Sequence, residues 1–428
     1  MKTLTTKNIL ILAILLSTIG CITVNTSTLL TETPMQPTVN PLPNESALQT
    51  PDVSIEATPI QPIESHINFQ GDSNWNWQKF SSPLITPSPM NSPIALLDGR
   101  GYLHLFWDSP ASSGSAFIYH SYSDGITWTT PSPIAPTLGS SELRSVSLIN
   151  SNGVIHLLWY NTLKFGGPFR LMYASFDGEK WSQESEVMRT KSDINLRGKL
   201  SIDEKGVHAI VESANIMSSD INYLTLLGTN WSAPEIITPP ALGLFIWKYF
   251  PDTFGGIRFY GKDAFNNKLT YAYWQNGQTN TKNTDLTFPR YDDFFVDIQG
   301  NYFTYWTAPV PIPGGSLEGA YYQCIDNNLT AWPEQVLSGE SEVITKPIVA
   351  QSTSKTAMVW IDKQQQTQLL LPKSCSEADL FTLPLPLIEK SNRKPLAFAI
   401  SDESNKICII SKVGYSDDPL EVYCADIP

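Results

Sequence analysis

The ten residues Tyr119–Trp128, read Y-H-S-Y-S-D-G-I-T-W, constrain this chain more than any other stretch. A strand-like run enters an Asp-Gly turn and leaves it on a tryptophan. The turn recurs as Asp177-Gly178-Glu179-Lys180-Trp181 and, in weaker form, as Leu227-Gly228-Thr229-Asn230-Trp231. A looser echo ends at Trp332, and Trp77 stands one interval before Trp128. The spacing is about 50 residues, a period that marks a repeat protein whose units bury their apolar faces against neighbours.

Each unit also carries an apolar strand that opens on a turn. Gly101–Trp107, Gly153–Trp159, Gly206–Val211, Gly256–Tyr260, Asn301–Trp306, Thr356–Trp360 and Lys406–Ile410 form this set. A shorter strand precedes each, a third runs into the Asp-Gly position, and a fourth begins at the tryptophan. Gly, Asn, Asp and Ser fill the connections, as tight hairpins require. Four short antiparallel strands per unit predict an all-β fold, a β-propeller of seven four-stranded blades over 66–428. The last unit has three strands after Lys394, so the Trp77–Ile85 stretch is expected to supply its fourth. Pairing the N-terminal and C-terminal strands closes the ring and removes exposed edges.

The sequence D-G-x-T-W after a strand resembles the Asp-box, or BNR, repeat of sialidase-like propellers. Ser121–Trp128 is the best copy and Ser175–Trp181 the next, with Asp124 and Asp177 directly before the glycine rather than in the usual register. The resemblance implies that the box shapes a hairpin on the face opposite a binding site. It covers about 66–428 and speaks to fold. Sialidases of that family open their first blade with an R-I-P motif. The matching stretch here is Ser92-Pro93-Ile94, with serine in the arginine's place, and no catalytic set is recognisable. Glu142, Asp108, Glu212 and Tyr291 are the candidates should the chain be a glycoside hydrolase or lyase.

A cation recurs where the first strand of a unit begins: Arg144, Arg197, Arg290, Lys346 and Lys394, with Lys248 near the same place. These positions fall where strands enter the channel, away from the Asp-Gly turns. A ring of cations there would focus a field that attracts anions, and arginine's fixed fork suits carboxylates. The alternative is that each cation pairs with a nearby acid, such as Glu142, Asp193, Asp292, Glu342 or Glu389. The expected ligand is an anionic glycan or another carboxylated molecule; a protein-interaction scaffold is the further reading. Trp107, Trp159, Trp306 and Trp360, at the ends of second strands, could stack sugars or pack between blades. His104, His156 and His208 repeat with the period and are expected to fill equivalent structural niches rather than hold a metal.

Net charge −13 argues against a nucleic-acid partner, which needs clustered cations. Lys2 and Lys7 precede the apolar run Ile9–Leu16, too short for a spanning helix, which needs about 18 residues. Residues 1–20 therefore read as a signal peptide. Gly20-Cys21 resembles a bacterial lipobox, with Thr18 where leucine is usual, and implies lipidation of Cys21; a plain cleaved signal is the alternative. Residues 21–65, rich in Thr, Pro and Ser, read as a disordered tether. The expectation is an exported, lipid-anchored, cell-surface monomer without a cofactor. Of the remaining cysteines, Cys408 and Cys424 fall on neighbouring antiparallel strands, and at most that one bridge is expected; Cys324 and Cys375 fall on adjacent units. No zinc-type Cys/His spacing occurs.

Overall fold

The computed structural model describes residues 66–70, 75–83 and most of 93–427. The exceptions are 111–115, 135–139, 152, 163–167, 191–194, 215–218, 238–245, 252–254, 263–267, 288–292, 297–299, 313–314, 329, 338–346, 353–354, 363–365, 384–393 and 413–419. The expected signal peptide, the expected lipidation site Cys21 and the expected tether lie outside the described residues.

Two short strands come first, β1 (His66–Gln70) and β2 (Gln78–Phe80). Antiparallel groups follow: β3 (Ile94–Leu97), β4 (Leu103–Pro110), β5 (Ala116–Ser123) and β6 (Ser132–Pro133); then β7 (Ser140–Ser151), β8 (Val154–Thr162), β9 (Phe169–Phe176) and β10 (Ser185–Arg189). The next group is β11 (Asn195–Asp203), β12 (Gly206–Ala214), β13 (Ser219–Leu227), β14 (Asn230–Trp231) and β15 (Glu235–Ile236). After it come β16 (Ile246–Pro251), β17 (Ile257–Lys262), β18 (Lys268–Gln275) and β19 (Gln278–Thr287), then β20 (Asp293–Val296), β21 (Tyr302–Ile312), β22 (Gly315–Ile325) and β23 (Gln335–Val336). The series ends with β24 (Ile348–Gln351), β25 (Thr356–Ile361), β26 (Thr367–Pro372), β27 (Glu377–Leu383), β28 (Lys394–Ser401), β29 (Lys406–Lys412) and β30 (Leu420–Asp426). No helix occurs among the described residues.

First strands lie beside first strands: β28 touches both β3 and β24, β7 touches β11, and β11 touches β16. Apolar clusters fill the spaces between neighbouring sheets, as where Leu105, Phe106 and Trp107 meet Cys408, Ile410 and Val422. Meandering sheets arranged in this way form a β-propeller. The expected seven separate blades are corrected to six. The strands form six hydrogen-bonded sheets, one of them eight-stranded. That sheet arises because Ala116 of β5 pairs in parallel with Ser140 of β7, merging the β3–β6 and β7–β10 groups.

Closure occurs where the C-terminal strands meet β2. Gln78, Lys79 and Phe80 pair antiparallel with Cys424, Tyr423 and Val422. The strand is shorter than the expected Trp77–Ile85. Just before it, β1 pairs in parallel with the outer edge of β27 on the neighbouring sheet, His66 opposite Glu377. Trp75, buried between these attachments, meets the Phe381 ring edge-on at 5.3 Å.

The Asp-Gly turns are built by their own side chains. One Asp124 carboxylate oxygen accepts the N–H groups of Ile126 and Thr127 at 2.9 and 3.1 Å. Asp177 does the same for Glu179 and Lys180 at 3.0 and 2.9 Å. Gly125 sits at φ 102°, where a side chain is strained; a Cβ there would also meet the Phe80 ring at 3.0 Å. The tryptophans then reach into the preceding group: the Trp128 indole N–H donates to the Ser81 carbonyl at 2.6 Å, and Trp231 meets the Tyr173 ring edge-on.

The structure links two cysteine pairs. Cys408–Cys424 joins β29 to β30 across the strand pair. The expectation of one bridge at most is corrected by Cys324–Cys375, which joins β22 to the turn before β27 and thus two neighbouring sheets, Cα atoms 5.2 Å apart. Between the β16–β19 and β20–β23 sheets, Tyr260 stacks on Tyr302 at 4.9 Å in an apolar cluster with Ile325, Phe250, Tyr271 and Val296, and Lys282 Nζ donates to the Asn328 carbonyl at 3.0 Å.

Candidate functional site

An antiparallel meander divides its connections between two ends. First-to-second and third-to-fourth hairpins share one end, where the Asp-Gly turns are found. Second-to-third hairpins and the links between groups share the other, where first strands begin. Those links include the long segments 337–347 and 384–393. Long connections held on a rigid scaffold are where binding residues concentrate.

The predicted cations distribute as follows. Arg197 is exposed near the start of β11, and Lys248 is half-buried near the start of β16. Arg144 falls in the irregular stretch of β7 between Glu142 and Ser147, and Lys394 opens β28 opposite Lys412. Arg290 and Lys346 lie outside the described residues, as do Tyr291 and the acids Asp193, Asp292, Glu342 and Glu389.

The strands that carry Arg197 and Lys248 are joined by a residue that the sequence reading passed over. Tyr249, 5% exposed, donates its hydroxyl to the Arg197 carbonyl at 3.3 Å. Lys199, two residues along β11, returns the contact: its Nζ donates to the Tyr249 carbonyl at 2.9 Å and lies 4.0 Å from the centre of the Phe250 ring. Burial, followed by the nearby Glu212 carboxylate, raises the Tyr249 phenol well above its ordinary range, so it stays a neutral donor. Glu212 stands opposite Arg197 in the β11–β12 ladder. Arg197 and Lys199 on β11, Glu212 on β12 and Lys248 on β16 thus lie on three neighbouring strands that meet around Tyr249. The one signal in the sequence was the cation before an aromatic pair, Lys248-Tyr249-Phe250.

The tryptophan expectation is settled for three of its four residues. Trp107, Trp159 and Trp360 are at most 1% exposed and pack in the core, unable to stack a sugar. Trp306 lies on β21. Asp108 is fully buried.

A second cluster lies at the Asp-Gly end. The histidines do occupy equivalent places: His104, His156 and His208 pair with Tyr122, Ser175 and Thr225 on the third strands. His104 has a partner missed in the sequence, His120, inside the opening motif. Trp181 can only donate, and its indole N–H reaches His120 Nδ1 at 3.1 Å. His120 must therefore carry its proton on Nε2 and donate to His104 Nδ1 at 3.0 Å. His104 in turn presents its Nε2 proton to Asp98, 3.4 Å away. Burial works against the Asp98 carboxylate, but hydrogen bonds from His104, the Tyr102 N–H and Arg100 hold it down to about 2. Burial also lowers both histidines, most strongly His120, so the pair is neutral at physiological pH. His208 bonds to Asp203 at 2.8 Å and Thr225 at 3.0 Å, and His156 to the Tyr173 hydroxyl at 2.7 Å. No group of three metal-ligating side chains occurs among the described residues.

No known family model matches the sequence, and no curated protein resembles it. Among solved structures the chain is similar to the polysaccharide lyase Uly1, at 11% identity over 82% of this chain and 93% of that one, TM-score 0.49. It is similar also to the β-propeller domain of the Trilobed protease from Pyrococcus furiosus, at 7% identity over 80% and 95%, TM-score 0.48. The NanB sialidase from Streptococcus pneumoniae matches at 13% identity over 82% and 70%, TM-score 0.40. At these identities and scores the propeller assignment rests on the strand pairing itself.

Proposed function

We propose that this propeller binds an anionic glycan, or another carboxylated extracellular ligand, at the end where its first strands begin, and that it does so as an exported, lipid-anchored surface protein. The observation that carries the reading is the Tyr249–Arg197 contact. It joins the two inner strands that carry Arg197 and Lys248, in a chain of net charge −13. A local cationic rim in an acidic body selects anions by position. Arg144 and Lys394, on two further first strands, belong to the same rim in this reading.

The test is binding of uronate- and sialate-bearing glycans by the purified chain on an array. Arg197→Ala and Lys248→Ala together are expected to abolish the anionic hits and to leave neutral glycans unchanged. Identical profiles for the wild type and the double variant would reject the site. A second reading, glycoside hydrolysis, is favoured by Glu212 standing opposite Arg197 beside the Tyr249 phenol. Release of 4-methylumbelliferone from uronide or sialoside substrates, lost in Glu212→Gln, would establish it.

A further inference from the structure

Three tryptophans leave equivalent turns, and their indoles meet three different partners. Trp128 donates its N–H to the Ser81 carbonyl at 2.6 Å, an acceptor that mild acid leaves unchanged. Trp231 packs edge-on against the Tyr173 ring. Trp181 alone of the three gives its proton to a titratable base, His120 Nδ1, at 3.1 Å. It thereby joins the β7–β10 group to the buried centre of the β3–β6 group.

The run of donors behind this contact has one consistent arrangement. An indole nitrogen only donates, so His120 holds its proton on Nε2 and gives it to His104 Nδ1 at 3.0 Å. His104 points its own proton at Asp98, 3.4 Å away, and Arg100 Nε donates to the same carboxylate oxygen at 2.8 Å. An extra proton finds no place in this run. On His104 Nδ1 it faces the His120 N–H. Passed along, it leaves His120 protonated on Nδ1, where it faces the Trp181 N–H. The other repeated histidines are not so confined. His208 Nδ1 meets the Thr225 hydroxyl at 3.0 Å and His156 Nδ1 the Tyr173 hydroxyl at 2.7 Å, and a hydroxyl turns to donate or to accept.

The surroundings decide which contact yields. His104 and His120 are buried and stacked with Tyr122 and Phe106, whereas Trp181 is only half-buried. The charges nearest the pair are Asp98 and, bound to it, Arg100. From β28–β29, Glu403 lies against Gly99 and Lys406 against Gly101. Asp177, Glu179 and Lys180, in the turn that leads to Trp181, are exposed.

We propose that Trp181 is an acid-released latch. One proton on the His104–His120 pair expels its indole and parts the two groups at the Asp-Gly end, while the Ala116–Ser140 bridge holds the opposite end as a hinge. Burial keeps the pair neutral until the pH falls below the ordinary histidine value, so the latch is closed at neutral pH and opens in acid.

The experiment is an acid titration of the purified chain carrying isotope-labelled tryptophan, followed by nuclear magnetic resonance through its 12 indole N–H signals. Trp181→Phe identifies the Trp181 signal by its loss, and Trp128→Phe that of Trp128. Far-UV circular dichroism marks the pH at which the fold is lost. Between that pH and about 6.5 the Trp181 signal is expected to move upfield in one step, while the Trp128 signal stays. His104→Gln combined with His120→Gln keeps a carbonyl for the indole and an amide donor for Asp98 but takes up no proton. In that variant the Trp181 signal is expected to hold still. Should the double variant fail to fold, the histidine ring-carbon signals of the wild type decide: a midpoint shared with the Trp181 signal supports the latch, and separate midpoints overturn it. A Trp181 signal that stays fixed until the fold is lost, one that moves together with Trp128, or one that still moves in the double variant would overturn the proposal.

Discussion

Acid should unfold this protein earlier than its carboxylates alone would dictate, because its repeated histidines are folded in the neutral form. Burial holds His156 down to about 4 and His120 well below the ordinary 6.5. In the unfolded chain both regain the ordinary value. A group whose folded pKa is depressed below its unfolded one excludes a proton on folding if it is a histidine. Stability is then full above about pH 6.5 and falls as the pH drops from there toward the folded value. Each such site contributes a slope of about 1.4 kcal/mol per pH unit. From pH 6.5 to 5 that is about 2 kcal/mol for His156, and His120, lowered too, destabilises in the same sense. His104, also lowered, adds in the same direction. Against a typical total of about 5–15 kcal/mol, the loss is large. Asp98, at about 2, acts only later, withdrawing its contribution as the pH falls from 3.8 through that value. The assay is urea unfolding followed by tryptophan fluorescence at pH 7.5 and 5.0. We expect the unfolding free energy to be lower at pH 5.0 by at least about 2 kcal/mol, and His156→Gln to lose about 2 kcal/mol of that dependence. Equal free energies at the two pH values would refute the reasoning.

Further outcomes can be measured on the same protein. Gly125→Ala forces a side chain to φ 102° and against Phe80; a loss of about 2 kcal/mol is expected in thermal unfolding. Replacing Cys324 and Cys375 by serine opens a loop with 51 residues of separation, which chain entropy values at about 4 kcal/mol, against about 3 kcal/mol for the 16-residue separation of Cys408 and Cys424; urea midpoints under oxidising conditions compare the two. Phe80→Ala empties a buried place on the closing strand and should cost about 3 kcal/mol, seen as a lower melting temperature. Tyr249→Phe removes one hydrogen bond, costs about 1 kcal/mol, and should weaken anionic-glycan binding while leaving the net charge untouched.

What could be read from the chain follows the range of the forces involved. Asp124-Gly125 announces its turn because the bonds to Ile126 and Thr127 span only neighbouring residues. Closure through the Trp77 region was legible because a unit with three strands requires a fourth. The site was less legible. Tyr249 looks like any core aromatic until its hydroxyl is found on the Arg197 carbonyl, 52 positions away. His120 was hidden in the motif itself, since nothing local distinguishes a relay histidine from a strand filler. The sequence reading ended the second strand of its unit at Trp306, and only the pairing through Pro309 and Pro311 shows β21 running on to Ile312. Cys324 and Cys375 were placed on adjacent units, but whether two thiols meet depends on how one sheet seats on the next. The merging of two groups through Ala116 and Ser140 is a single bridge without any pattern in the residues.

The join between β16–β19 and β20–β23 has its own consequence. The next sheets along the chain are clamped by the Cys324–Cys375 bridge, whereas here the Tyr260–Tyr302 stack, its apolar neighbours and the Lys282–Asn328 contact hold without a covalent link. Local opening sets in where noncovalent contacts carry the load alone. Deuterium uptake should therefore be faster in β16–β19 than in β24–β27, as a bracelet gives at a link before it gives at a rivet.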